Sequence, residues 1–254
     1  MQTSFLRQAS QSVRRLGRDL LEMLLPGGCC WCQSEVLNYR HPSVLCEQCQ
    51  KELIQWRKCI RCSAVLTHAN ELPQENCPAC HHLKLPFQGI TAVGNYEGKL
   101  GEAIISAKTS RGAATAWDLG QLLAQQLPTD WSAEPVVVAV PMHWTRRIRR
   151  GMSSAAVISQ SLAAYQNWKS ETLVACHRRL AKQSELSFTA RKKNVQGAVQ
   201  VVRSLLPDRP ILLVDDIMTT GSTLSELAKT LRRAGAAAIH VAVVARSTRA
   251  FSDV

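Results

Sequence analysis

An apolar run that leads directly into acidic and then hydroxyl-rich residues constrains the fold of this chain more than any other feature. Residues 211–214 are Ile-Leu-Leu-Val, a run typical of a strand that is buried on both faces of a sheet. Asp215 and Asp216 follow at once, and a helical pattern then runs from Thr223 to Arg233. The segment therefore predicts a buried strand, a loop and a helix, which is the repeating unit of a parallel α/β sheet.

The same alternation extends over the C-terminal two thirds of the chain. Apolar runs predict three further strands, at residues 90–94, 135–141 and 239–245. Apolar residues at helical spacing predict three further helices, at residues 100–105, 113–127 and 153–165. We therefore expect an α/β domain over residues 90–254, with a mostly parallel sheet flanked by helices.

The segment before this domain is rich in cysteine. Eight cysteines form four Cys-x-x-Cys pairs, which are Cys29/Cys32, Cys46/Cys49, Cys59/Cys62 and Cys77/Cys80. Four thiolates fill the coordination shell of zinc, so we expect one or two structural zinc ions in a double zinc ribbon over residues 29–84. Gaps of 13 and 14 residues within successive pairs, against 9 between them, favour two tandem sites. An interleaved cross-brace and isolated redox pairs are the alternatives. The remaining candidates are not expected to be ligands; these are Cys30, Cys176, His81 and His82.

The N-terminal segment, residues 1–28, has a different character. Residues 4–25 carry apolar positions at helical spacing with arginines on the opposite side, and Pro26 follows. They predict a basic amphipathic helix that packs on its own protein or lies on a partner or a membrane surface. Charges interrupt the segment, so it lacks the apolar core of a signal peptide, and no run in the chain reaches the length of a membrane span. We expect a cytoplasmic protein with reduced thiols, either free or peripheral at the inner membrane.

The chain is strongly basic, with 31 Lys and Arg against 19 Asp and Glu and a formal charge of +12. This balance favours polyanionic partners such as nucleic acid or phosphorylated metabolites. Much of the excess lies between residues 143 and 203, and it includes Arg146, Arg149, Arg150 and Arg191. Because a dense cluster of this kind neutralises phosphates, we expect it to contact diphosphate or single-stranded DNA. A solvated basic face is the alternative.

The residues that follow the run at 211–214 have the chemistry of a sugar-phosphate site. Asp215 and Asp216 stand at the carboxyl end of the predicted strand, where open α/β sheets bind ligands, and can hold ribose hydroxyls directly or through Mg2+. Hydroxyls and backbone N–H groups at the helix N-terminus then form an anion site. The residues of this loop are Thr219, Thr220, Gly221, Ser222 and Thr223. The alternative is a capping box, in which Thr223 and Glu226 only cap the helix.

These ten residues, 214–223, resemble the signature of type I phosphoribosyltransferases, and the chain over residues 29–248 resembles the ComF family of competence proteins. Further segments carry the resemblance; these are residues 96–98 with Lys108, residues 138–151 and residues 183–198. One departure is Met152-Ser153-Ser154, where family members usually have a Phe-Asn-Gln-like sequence. The departure bears on how that loop positions a substrate.

The resemblance implies a type I phosphoribosyltransferase-like fold behind the zinc ribbon. It implies that Asp215 and Asp216 are the catalytic carboxylates and that phosphoribosyl diphosphate with Mg2+, or a related nucleotide, is the ligand. Basic residues would bind the diphosphate or DNA, namely Lys108, Arg146, Arg149, Arg150 and Arg191. It also implies a role in natural transformation, in which the protein handles incoming single-stranded DNA beside translocation or recombination proteins. The alternatives are a module that senses a nucleotide or a DNA end without turnover, and a nucleobase phosphoribosyltransferase of salvage metabolism.

Overall fold

The computed structural model describes residues 29, 31–32, 34, 45–54, 57–66, 77–78, 80–81, 85–142, 151–177, 196–204 and 209–247. The helices among these residues are α1 (Glu47–Ile54), α2 (Gly98–Ala107), α3 (Ala113–Ala124), α4 (Ser154–Gln166) and α5 (Ser222–Arg233). The strands are β1 (Ile90–Asn95), β2 (Val136–Ala139), β3 (Val174–Cys176), β4 (Val199–Val201), β5 (Ile211–Met218) and β6 (Ile239–Arg246). The four strands and four helices predicted for residues 90–254 are all present.

The main sheet has four parallel strands in the order β1-β6-β5-β2. This confirms the predicted mostly parallel sheet. The central strand β5 is longer than the apolar run suggested, because its pairing with β6 continues as far as Met218 opposite Arg246. Its pairing with β2 ends at Val214, opposite Ala139. The carboxyl half of β5 therefore extends past its neighbour β2 and carries both aspartates beyond it.

The chain divides into two compact units, Met1–Glu52 and Leu53–Val254. The smaller unit holds the first group of four cysteines, with Trp31 and Leu45 buried in it. The larger unit holds the main sheet, its helices, the short antiparallel β3–β4 pair and the second group of four cysteines. In the structure the second set of cysteines thus belongs to the same compact unit as the sheet. The sequence predicts both sets of cysteines in one segment, residues 29–84.

Two different kinds of structure cover the faces of the main sheet. On one face, α4 packs on β2 and β5, and α3 packs on β1 and β6. On the other face, alternate strand residues such as Leu213 and Val241 form one core with Leu227 of α5 and with the second group of cysteines, which includes Cys62 and Cys80. The segment that holds the second group of cysteines therefore occupies part of the layer that α5 provides elsewhere on this face.

The helices α3 and α4 pack unusually closely at Gly120. A Cβ atom added at Gly120 would stand 2.6 Å from the Ile158 carbonyl oxygen and 2.6 Å from the Ser161 Cβ. Ser161 also donates a hydrogen bond of 2.5 Å to the carbonyl oxygen of Trp117, one turn earlier in α3. This crossing fixes α4, and α4 begins at the ligand-binding edge of the sheet with Ser154.

Several predicted features lie outside the described residues. They are the N-terminal amphipathic helix at 1–28, the basic residues Arg146, Arg149, Arg150 and Arg191, and the two non-ligand candidates Cys30 and His82. Within the described ranges, none of the helices is both long enough and apolar enough to cross a membrane.

Candidate functional site

An open cleft lies where β5 turns into α5. Its lining runs from Asp215 through the hydroxyl-rich loop to Leu224, so all five residues of the predicted phosphate loop border it. Gly221 is the residue that precedes the helix, and it has φ 71° and ψ 2°. This left-handed conformation is costly for a residue with a Cβ, which accounts for glycine here.

The loop presents hydroxyl groups around the start of α5. Thr220 Oγ1 and Ser222 Oγ are 2.9 Å apart, and the Ser222 N–H points to Thr220 Oγ1 at 3.4 Å. The first turn of a helix carries backbone N–H groups without intrahelical acceptors and the positive end of the helix dipole. An anion of the size of a phosphate therefore suits this end of α5.

The capping box considered as an alternative is wrong. The helix begins at Ser222, and Gly221 precedes it without a side-chain cap, so Thr223 lies inside the first turn. Glu226 does not reach back to that turn, because its Oε1 accepts a hydrogen bond of 3.0 Å from the N–H of Gly197. Glu226 instead ties α5 to the segment that leads into β4.

The two adjacent aspartates point in opposite directions, as successive residues of a strand must. Asp215 lines the cleft, whereas Asp216 is directed toward α2 and α4 on the opposite face. Burial, together with the negative charge of Asp216, raises the pKa of the Asp215 carboxyl to about 8. A cation bound in the cleft would favour the ionised carboxylate, and oxygen donors of this kind are the ligands that Mg2+ prefers.

Asp216 has two protein partners. Lys108 Nζ lies 3.3 Å from Asp216 Oδ1, and Ser154 donates a hydrogen bond of 2.6 Å to Asp216 Oδ2. Lys108, which the sequence suggested as a diphosphate or DNA ligand, thus forms an ion pair with Asp216 on the face opposite the cleft. Sequence reasoning missed Ser154, although this residue is part of the departure from the family pattern at 152–154. Its neighbour Ser153 caps α4 by accepting a hydrogen bond from Ala156 N–H, so both serines have a structural role.

The eight cysteines of the Cys-x-x-Cys pairs form two separate groups of four. One group is Cys29, Cys32, Cys46 and Cys49, and the other is Cys59, Cys62, Cys77 and Cys80. This is the tandem arrangement, and the interleaved one is wrong. Both groups consist of cysteine alone, and neither includes Cys176 or His81.

The geometry of both groups suits a tetrahedral metal. Within each group the sulfur atoms all lie within 4.8 Å of one another. The separations of close pairs are 3.6 Å for Cys32–Cys46, 3.8 Å for Cys59–Cys80 and 3.6 Å for Cys62–Cys77. A Zn–S bond of about 2.3 Å in a regular tetrahedron places sulfur atoms about 3.8 Å apart. Four thiolates around one ion therefore fit both groups, and such a closed shell suits structural zinc.

The two groups have different surroundings. Hydrogen bonds from Ser34 lower the pKa of the exposed Cys32 thiol to about 6, which favours the thiolate that binds metal. In the second group all four cysteines are buried. Burial raises the pKa of Cys62, and the charge of Arg246 opposes that rise. A buried thiol of this kind is stable as a thiolate only with a metal ion or another cation beside it.

Comparison with known proteins agrees with the predicted family and fold. The family described as phosphoribosyl transferase domain matches residues 118–250. The DNA utilization protein YhgH of Escherichia coli strain K12 is 30% identical over 233 residues, which cover 89% of this chain and 100% of the relative. Competence protein F of Haemophilus influenzae is 27% identical over 211 residues, which cover 80% of this chain and 90% of the relative.

Among solved structures, the glutamine phosphoribosylpyrophosphate amidotransferase from B. subtilis is 23% identical with a TM-score of 0.37, and covers 51% of this chain and 26% of that one. That likeness is too weak to support an inference. The sequence relatives, by contrast, match along most of their own length and of this one. Their extent, and the transferase domain that spans β5 and its loop, confirm the resemblance: this chain belongs to the ComF/YhgH family of DNA utilization and competence proteins, with a phosphoribosyl transferase domain in its C-terminal half.

Proposed function

We propose that this protein binds phosphoribosyl diphosphate, or a related phosphorylated ligand, in the cleft between Asp215 and α5, and handles incoming single-stranded DNA in the cytoplasm. The proposal rests on the groups that line this cleft. It combines a carboxyl group, several hydroxyl groups and a helix N-terminus along one continuous lining. These groups complement the ribose hydroxyls, the 5-phosphate and an accompanying Mg2+ ion of such a ligand.

Each part of the ligand has an assigned partner in this proposal. The loop from Thr219 to Thr223 holds the phosphate, and Asp215 holds the ribose or its Mg2+ ion. Asp216 supports this edge from the opposite face through Lys108 and Ser154. The leaving diphosphate would be bound by basic residues of the 143–203 region, and electrostatic stabilisation of that group would supply much of any rate enhancement. Those residues are Arg146, Arg149, Arg150 and Arg191.

A role with DNA is supported by two independent facts. The relatives that match this chain along most of its length carry names that refer to DNA utilization and competence. The chain itself has a formal charge of +12, which suits a polyanion. We propose that incoming single-stranded DNA is the polyanion, and that DNA translocation or recombination proteins act beside this one.

The proposal also includes two structural zinc ions. Each group of four cysteines would hold one structural zinc ion, since the donor set and the sulfur separations fit that metal. Zinc bound in this way stabilises the fold and takes no part in chemistry, because all four coordination positions belong to the protein.

The test of the cleft is a calorimetric titration of phosphoribosyl diphosphate with Mg2+ into the zinc-loaded protein. Asp215→Asn should abolish binding, since it removes the carboxylate that lines the cleft. Asp130→Asn makes the same chemical change at an exposed position in the loop before β2, and it should bind as the wild type does. Absence of binding to the wild-type protein, or equal binding by Asp215→Asn, would contradict the proposal.

The same mixtures decide between an enzyme and a binding module. Release of diphosphate, with or without single-stranded DNA, would establish turnover. Binding without release would support a module that senses the ligand, and one observation favours that second candidate. Asp216 is engaged by Lys108 and Ser154 rather than directed into the cleft, so one of the two carboxylates expected to hold ribose is already occupied.

DNA binding is tested separately with a fluorescently labelled oligonucleotide and anisotropy. Arg150→Ala should weaken binding and reduce its salt dependence, because one phosphate contact is lost. Arg233→Ala removes an exposed arginine of α5 and serves as the matched control. Equal affinities for the two variants would remove the 143–203 region from the DNA-binding surface.

A further inference from the structure

The chain segment that carries Cys59 and Cys62 is hydrogen-bonded to the edge strand β1 of the sheet. The N–H of Ile90, at the start of β1, donates to the carbonyl oxygen of Arg61 at 3.0 Å. The hydroxyl of Ser63 donates to the carbonyl oxygen of Ile90 at 2.7 Å and accepts from the N–H of Ala92 at 3.1 Å. The segment between Cys59 and the sheet therefore satisfies backbone groups that an edge strand would otherwise expose.

A lysine from the same segment adds a further link to the domain. Lys58, next to Cys59, donates to the carbonyl oxygen of Ala92 at 3.0 Å and to Gln126 Oε1 at 3.1 Å. Gln126 follows α3, so one side chain connects the cysteine segment to both β1 and the helical layer. Removing this segment would leave backbone groups of β1 unpaired as well as exposing its apolar face.

An arginine from the far end of the chain contacts the cysteine sulfur directly. Arg246 is the last residue of β6, is only 3% exposed, and donates from Nη1 to Cys62 Sγ at 3.3 Å. Four thiolates around one divalent ion leave a net charge of about −2, which is costly to bury without a cation nearby. Arg246 supplies that charge, and outer-shell partners of this kind strengthen metal binding.

The first group of cysteines lies in the smaller compact unit, Met1–Glu52, and is less enclosed. Cys32 is exposed and Cys46 is partly exposed. Solvent can therefore reach the sulfur atoms of this group through a small local opening, whereas the sulfur atoms of the second group belong to the core of the α/β domain.

We propose that the two zinc ions are inequivalent, and that Arg246 is the positioning residue that makes the second one an integral part of the transferase-like domain. The ion at Cys59, Cys62, Cys77 and Cys80 then exchanges only when that domain unfolds, while the ion at the first group exchanges through local opening. The inference rests on the zinc assignment made under Proposed function, and it is independent of which ligand occupies the cleft.

The test measures zinc release from the intact protein in native buffer, with a coloured chelator such as 4-(2-pyridylazo)resorcinol in excess. Two phases of equal amplitude are expected, with the slower one at least about tenfold slower than the faster one. Cys46→Ser should remove the fast phase and keep the slow one. Release of both ions in one phase, or loss of the slow phase in Cys46→Ser, would overturn the proposal.

The role of Arg246 is tested with Arg246→Met, which keeps all four thiolates and a side chain of similar length. Zinc release from the second group should accelerate by about tenfold or more, and Arg246→Lys should restore part of the slow rate because it restores the charge. Arg233→Met makes the same change at an exposed site and should leave both phases unaltered. Circular dichroism at the start of each run confirms that the variant is folded.

Failure of the two proposals can be told apart. Purified protein that contains no zinc and does not bind it would overturn the zinc assignment and this inference together. Two bound zinc ions with unaltered slow release in Arg246→Met would overturn only the role of Arg246. Neither result depends on phosphoribosyl diphosphate or DNA, so the proposal for the cleft is judged separately.

Discussion

Replacing Gly120 by alanine should destabilise the protein, although alanine is the better helix former. In an exposed helix the change would stabilise by about 0.8–1 kcal/mol. Here the new Cβ would stand 2.6 Å from the backbone oxygen of Ile158, so α3 and α4 must separate. Overpacking of a core costs about 1–3 kcal/mol, and loss of the hydrogen bond from Ser161 to Trp117 costs about 1 kcal/mol more. The expected net loss is about 1–3 kcal/mol.

Gly101 provides the matched control, because it is also a buried glycine inside a helix, α2. A Cβ at Gly101 would meet only Tyr96 atoms at 3.9 Å, which is ordinary contact. Gly101→Ala should therefore stabilise by about 0.5–1 kcal/mol. Urea unfolding of the zinc-loaded variants, followed by far-UV circular dichroism, measures both effects. The reasoning from close helix packing would be refuted if both substitutions changed the unfolding free energy in the same direction, or if the Gly120→Ala protein were as stable as the wild type.

Three other predictions concern single side chains. Ser154→Ala should lower the unfolding free energy by about 1.5–3 kcal/mol, because it removes a hydrogen bond to the Asp216 carboxylate, and a loss below about 0.5 kcal/mol in urea unfolding would contradict that role. Gly221→Ala should cost about 1–2 kcal/mol at φ 71° and weaken the calorimetric binding of phosphoribosyl diphosphate, and unchanged affinity would argue against the loop. Burial raises the pKa of Asp118 from 3.8 to about 6, so the folded protein keeps this proton over a pH range in which the unfolded chain has lost it. The unfolding free energy of the wild type should accordingly decrease as the pH rises from about 4 to about 6. Asp118→Asn should be more stable than the wild type by about 1 kcal/mol at pH 7.5 but not at pH 4, as urea unfolding at both pH values would show. An equal gain at both pH values would contradict the cause.

Most of the main sheet could be predicted from the sequence because buried parallel strands are recognisable as apolar runs. The carboxyl half of β5 could not, since Asp215 and Asp216 carry no strand signal and are in the strand only because β6 continues beside them. The pair β3–β4 was also missed. Each of these strands is only three residues long and is stabilised by its pairing with the other, which is distant in sequence.

The candidate site shows the same division. The loop at the start of α5 could be located from local residues, because a phosphate site of this type is built within one strand–loop–helix segment. The contact of Ser154 with Asp216 joins α4 to β5, and the contact of Arg246 with Cys62 joins the last strand to the cysteine segment. Such contacts depend on tertiary structure and give no signal in the spacing of residues along the sequence. The grouping of the cysteines lies between these cases, because spacing favoured tandem sites and geometry decided it.

The position of β6 in the sheet has a consequence for synthesis of the protein. This strand is the last of the four to leave the ribosome, yet it stands between β1 and β5 and provides the strand partner of β1. The nascent chain therefore cannot close the sheet, or bring Arg246 to Cys62, until β6 has been translated. Folding of this domain is consequently expected to finish only after β6 has been translated and to be slow, because its decisive contacts join distant parts of the chain. A stop codon shortly before residue 239 would abolish the whole domain and not merely remove its final strand.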